Sequence, residues 1–102
     1  MDSIISKLNK VFDHRIRLGI MSVLILSESL SFNTLKDTLE VTDGNLASHL
    51  KTLEKEKFIT VKKQFIGRKP NTTYSVTEAG KAAFNKHLNA LEDIIKMRRD
   101  GN

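Results

Sequence analysis

The sequence predicts an α+β fold, mainly α, built on a helix-turn-helix, a small antiparallel sheet of two or three strands and a long C-terminal helix. Three observations predict it. Leu46, Leu50 and Leu53 recur at helical spacing while polar residues fill the positions between them. After Phe58 the apolar period drops to two, as a half-exposed strand requires. After Thr77 it returns to helical spacing and holds for about twenty residues.

In chain order, Asp2 or Ser3 is expected to cap a short first helix with Ile4, Ile5, Leu8, Val11 and Phe12 as its apolar positions. Asp13 reads as a second cap, opening a helix from His14 to about Glu28. Ile16, Leu18, Ile20, Met21, Val23, Leu24, Ile25 and Leu26 make that helix apolar on nearly every side, the mark of a central helix. Gly19 inside it costs about 1 kcal/mol relative to alanine and marks a close helix crossing. Ser31 and Phe32 have room for a very short strand. Asn33 or Thr34 then caps a third helix to Leu39, and Thr42 caps the fourth after a turn packed by Val41. Two short helices joined by a tight turn make a helix-turn-helix.

Phe58 to Phe65 alternates Ile59, Val61 and Lys63 with Thr60, Lys62 and Gln64, and Thr73 to Val76 is the return strand. Gly67 and Pro70 punctuate the turn between them, with Arg68 and Lys69 at its tip. A hairpin with a basic tip directly after a helix-turn-helix is a wing. Thr77 and Glu78 then open the last helix, which runs to about Arg99. At roughly 30 Å it is as long as a small domain is wide, so part of its apolar stripe must project beyond the core. Ile4, Ile5 and Leu8 with Phe84, Leu88, Leu91, Ile94 and Ile95 are therefore expected to form a homodimer seam. One domain over 1–102 is expected, with its core over 13–80 and dimerisation segments over 1–12 and 81–99.

Composition narrows the chemistry. The net charge is +5, and between Thr42 and Thr73 seven basic residues face three acidic ones, a local excess of +4. That concentration fits nucleic acid or another acidic surface. The absence of cysteine removes disulfides, thiolate metal sites and thiol nucleophiles. The longest apolar run, Ile20 to Leu26, is broken by Ser22 and is too short to span a bilayer, and no cleavable leader opens the chain, so a cytoplasmic protein is expected. His14, His49 and His87 lie on three predicted elements without ligand spacing, so no metal is expected. No nucleophile, phosphate loop or carboxylate pair can be assembled, so the chain reads as no enzyme, without a cofactor.

The ordered set Asp13-His-Arg-Ile-Arg-Leu, Phe32-Asn-Thr-Leu, Gly44-Asn-Leu-Ala-Ser-His-Leu-Lys-Thr-Leu-Glu54, Gly67-Arg-Lys-Pro-Asn-Thr-Thr-Tyr74 and Val76-Thr-Glu-Ala-Gly80 resembles the winged helix-turn-helix transcriptional regulators of the MarR and ArsR type. It looks closest to the small subgroup with a terminal dimerisation helix. The resemblance departs at Lys57, where such proteins usually carry glycine after the recognition helix. It implies that the helix over 42–56 reads double-stranded DNA in the major groove and that the wing over 62–72 grips backbone or minor groove.

The residue types agree. Thr42 caps the helix, Gly44 allows close backbone approach to a phosphate, and Asn45 can bond bidentately to adenine. Ser48 and Thr52 can reach a base edge or phosphate, Lys51 and Lys55 supply phosphate charge, and Asp43 serves the cap and the dipole. His49 can turn toward phosphate or pack at the helix margin. Arg68 suits a minor groove, and Lys62, Lys63 and Lys69 suit flanking phosphates. Arg15 and Arg17 fit either phosphate or a salt bridge. The expected protein is a homodimeric, sequence-specific regulator acting as a repressor. The alternative is a protein-interaction module that uses the same basic face for an acidic partner. No small-molecule effector is legible in the sequence.

Overall fold

The computed structural model describes residues 3–101, so the expected Asp2 cap lies outside the described residues. The chain begins with two single 3-10 turns, Ile5–Lys7 and Lys10–Phe12, where one short helix was expected. The break has a local cause. Asn9 is extended, its side chain accepts from the Val11 N–H at 2.9 Å, and its own N–H donates to His87 Nδ1 at 3.0 Å. A short polar side chain that bonds the nearby backbone competes with helix.

Helix α1 spans Arg15–Leu24. Its cap is His14, whose Nδ1 accepts from the Ile16 N–H at 3.1 Å, and the expected cap Asp13 instead closes the preceding turn. The helix stops four residues short of Glu28, which leaves Leu26 exposed. Ile20, Met21 and Leu24 are fully buried, so α1 is the central helix expected. A Cβ on Gly19 would lie 3.1 Å from the Leu39 side chain, which confirms the close crossing.

Strand β1 is Leu30–Ser31, and α2 spans Phe32–Leu39. Ser31, rather than Asn33 or Thr34, is the cap: its Oγ accepts from the Thr34 N–H at 3.1 Å. Glu40 ends α2 in the left-handed region at φ 53. Helix α3 spans Asp43–Lys55 with Thr42 as its cap, as expected.

Strands β2 (Ile59–Ile66) and β3 (Lys69–Val76) form the hairpin, in register from Ile59 opposite Val76 to Ile66 opposite Lys69. The sheet is antiparallel in the order β1-β3-β2, with Leu30 opposite Tyr74. The turn is tighter than expected, only Gly67 and Arg68, with Gly67 at φ 65 as the first central position of a primed two-residue turn requires. Pro70 therefore lies in β3 opposite Phe65 and not in the turn. It is tolerated there because β1 pairs with only Thr73 and Tyr74, leaving the far edge at Pro70 open.

Helix α4 spans Glu78–Asp100. Its cap Thr77 also fastens it to the end of α3: Thr77 Oγ1 accepts from the Gly80 N–H at 2.9 Å and donates to the Lys57 carbonyl at 2.7 Å. The Thr77 N–H donates to the Phe58 carbonyl at 3.0 Å.

The core gathers Ile20, Met21, Leu24, Leu35, Leu46, Leu50, Leu53, Ile59 and Phe84 around Phe12. Phe12 packs on Phe58, Phe84 and His87 with ring centroids 5.5, 5.2 and 5.2 Å away. The N-terminal turns, the end of α3 and α4 are thus joined by one aromatic cluster. Phe84, expected on the dimer seam, is 1% exposed and belongs to this core. No helix among the described residues is long and apolar enough to cross a membrane.

Candidate nucleic-acid interface

Helix α3 separates its two faces cleanly. Leu46, Leu50 and Leu53 are buried, while Gly44, Asn45, Ser48, Lys51 and Lys55 are exposed and Thr52 is half-buried. Thr42 Oγ1 accepts from the Asn45 N–H at 3.2 Å, satisfying one of the free donors of the first turn. The Thr52 hydroxyl donates back to the Ser48 carbonyl at 3.3 Å, so its proton is engaged within the helix and its oxygen stays available as an acceptor.

Asp43 has a role beyond capping. Its carboxylate meets Lys36 Nζ at 2.9 Å, tying α2 to the first turn of α3 and raising the Lys36 ammonium above its ordinary value through that hydrogen bond. Lys36 was not singled out from sequence. It lies seven residues from Asp43, two turns away on any continuous helix and too far to touch, so the pairing is made by the helix-turn-helix itself.

The wing carries Arg68 at its tip and Lys69 beside it, both exposed. Lys62 and Lys63 are also exposed, but as neighbours on β2 they point to opposite sides of the sheet. The two lysines therefore present their charge on opposite faces of the wing, as the alternation of the strand requires. Phe65 and Ile66 near the tip are 73% and 63% exposed, an apolar element not anticipated among the lysines.

The clearest departure from the sequence reading lies at the edge of α3. His14 and His49, on different elements as expected, have ring centroids 4.0 Å apart. Arg17 Nη1 lies 3.0 Å from His49 Nδ1, and Arg17 Nε donates to the Val11 carbonyl at 2.6 Å. Arg17 thus turns inward, whereas Arg15 is exposed. Burial pushes the His49 imidazole below its ordinary range, and His14 and Arg17 push it the same way. The three-residue spacing of His14 and Arg17 was a readable hint of a shared helix face. The join to His49 is tertiary and left no local signal. Among the described residues no group of three or more His, Cys, Asp or Glu could hold a metal ion.

A family profile described as a winged helix DNA-binding domain matches residues 16–95. The chain is 36% identical over 87 residues to the protein MJ0432 of Methanocaldococcus jannaschii, an alignment covering 85% of this chain and 95% of that one. Its fold is similar to that of a transcriptional regulator homologue from Pyrococcus horikoshii, with a TM-score of 0.81 and 28% identity over 91% of this chain and 90% of that one. It also shares the fold of Bacillus subtilis PadR solved in complex with operator DNA, with a TM-score of 0.66 and 21% identity over 74% of this chain and 47% of that one. The chain belongs to the winged helix DNA-binding domain family, and is a winged helix-turn-helix regulator by fold.

Proposed function

We propose that the protein is a cytoplasmic, homodimeric, sequence-specific transcriptional regulator of the MarR/ArsR kind that represses by occupying an inverted-repeat operator. The observation that carries this reading is the exposed row Asn45, Ser48, Lys51 and Lys55, set opposite the three buried leucines of α3. Asn45 supplies base readout, Lys51 and Lys55 supply phosphate contacts, and Arg68 extends the grip through the wing. The winged-helix unit over 13–80 is the reader, and the flanking segments over 1–12 and 81–99 bring two readers together. Two copies of α3 then enter successive major grooves roughly 34 Å apart.

Selection of bound duplexes from a random library tests the proposal. The expected result is an inverted repeat bound roughly 10³-fold or more above random duplex. With about five phosphates neutralised per protomer, affinity should fall roughly 10³- to 10⁵-fold between about 50 and 200 mM salt. A specificity ratio near one would overturn the proposal in favour of a basic face that docks an acidic protein.

A further inference from the structure

His14, Arg17 and His49 meet beside the recognition helix in an arrangement that leaves each with something to offer. His14 Nδ1 accepts from the Ile16 N–H at 3.1 Å. An imidazole that accepts at Nδ1 carries its proton on Nε2, so the His14 ring presents an Nε2–H donor. His49 Nδ1 lies 3.0 Å from Arg17 Nη1, and a guanidinium can only donate, so His49 is the same tautomer with the same free donor. The two rings stack with a tilt of 32°. Arg17 is held by the Val11 carbonyl through Nε and by His49 through Nη1, leaving the N–H groups of Nη2 and the positive charge.

The titratable groups that act on His49 are His14 and Arg17, with no carboxylate among them. One fixed cation flanked by two neutral N–H donors, with no acid beside His49, is matched to a monoanion with several acceptor oxygens. Protonating either ring would cost it the bond now made at Nδ1, so the imidazoles serve as neutral donors.

We propose that His14, Arg17 and His49 together bind one phosphate of the DNA backbone at the edge of the recognition helix. The proposal rests on the DNA-binding reading above. A phosphate fits because Arg17 keeps its full positive charge in the cluster and the backbone phosphates are the anionic groups of DNA. The cluster joins the start of α1 to α3, with His49 one helical turn from Asn45, so it meets the duplex beside the exposed row. The site would fix how deeply α3 sits in the groove, because it joins α3 to the rest of the fold at the point of contact.

The test is phosphate neutralisation on the selected duplex. Single methylphosphonate linkages are placed one at a time along a half-site and titrated with the full chain, wild type, Arg17→Met and His49→Phe. Wild type should lose about tenfold at one linkage per half-site. Both variants should bind the unmodified duplex about tenfold less tightly, show no further loss at that linkage and keep the same base preference. His49→Gln, which retains a side-chain N–H donor, should fall between wild type and His49→Phe, and serves if either other variant fails to fold.

Ring-¹⁵N spectra of the free protein add a readout independent of DNA. Both rings should show Nε2–H, and Arg17→Met should release the His49 tautomer while leaving His14 unchanged. A wild-type His49 proton on Nδ1, an interference pattern unaltered in the variants, or a changed base preference would overturn the phosphate site alone. If wild type selects no duplex at all, the DNA-binding reading falls and the phosphate site with it.

Discussion

Lys57 leaves α3 at φ 64, in the region where side chains are strained and glycine is not. The surrounding bonds make a Schellman exit: the Phe58 N–H donates to the Leu53 carbonyl at 3.0 Å and the Lys57 N–H to the Glu54 carbonyl at 2.9 Å. The motif is complete, so the lysine pays for its conformation without changing the geometry. Lys57→Gly should therefore stabilise the fold by roughly 0.5–1 kcal/mol, the relief of left-handed strain less the added freedom of the unfolded glycine. An unchanged urea midpoint would show the strain to be absent. Gly80 is the converse. It has no positive φ, yet a Cβ there would stand 2.1 Å from the Phe58 carbonyl oxygen, a backbone atom that cannot rotate away. Gly80→Ala should cost about 3 kcal/mol by overpacking and loosen the Thr77 joint between α3 and α4, seen as a lower urea midpoint. The strain at Lys57 was legible in the sequence because a helix end has a local grammar. The need for Gly80 was visible only as part of a motif, since its cause lies on a different element.

At the scale of elements, hydrophobic period located every helix of α1 to α4 and both long strands, because burial of one face dictates that period. It did not choose among adjacent polar residues for the caps, where His14 displaced Asp13 and Ser31 displaced Asn33 and Thr34. Nor did it foresee that Asn9 would divide the N-terminal segment, since half of that break is a bond to His87 from the far end of the chain. His87 is nearly fully buried, and burial pushes its imidazole below the ordinary range, partly opposed by the Asp13 carboxylate. Its folded value is thus depressed relative to the unfolded chain, so the unfolded state binds more protons near and below pH about 6.5. The contribution of the Asn9–His87 joint should be complete above that pH and lost as pH falls. Urea unfolding at a series of pH values should show the midpoint dropping on the acid side. His87→Gln, which keeps an acceptor for the Asn9 N–H, should flatten that drop. An identical slope in the variant would assign the effect to another group, and His49, whose imidazole is depressed by burial in the same direction, is the next to substitute.

The whole molecule is elongated, 59 × 25 × 21 Å, with a radius of gyration of 15.7 Å against about 13 Å for a compact chain of this length. The cause is α4, whose buried residues stop at Ala90 while the helix continues to Asp100. On that stretch and just before it, Leu88, Ile94, Ile95 and Met97 are exposed, with Ile5 of the first turn also exposed. A second copy of α4 would cover this stripe, which is why the dimer is proposed here and Phe84 is left to the core. Leu88→Asp combined with Ile95→Asp should halve the mass seen by sedimentation at micromolar concentration. The circular dichroism of the fold should be retained, since neither residue is part of the core cluster. Retention of the dimer mass would place the seam elsewhere. The same variant separates assembly from reading. On a duplex with one half-site it should bind as tightly as wild type, because α3 and the wing are untouched. On the full site it should lose roughly 10²- to 10⁴-fold, the advantage that comes from linking two readers into one molecule. Equal losses on both duplexes would mean that the stripe supports the reader directly rather than through its partner.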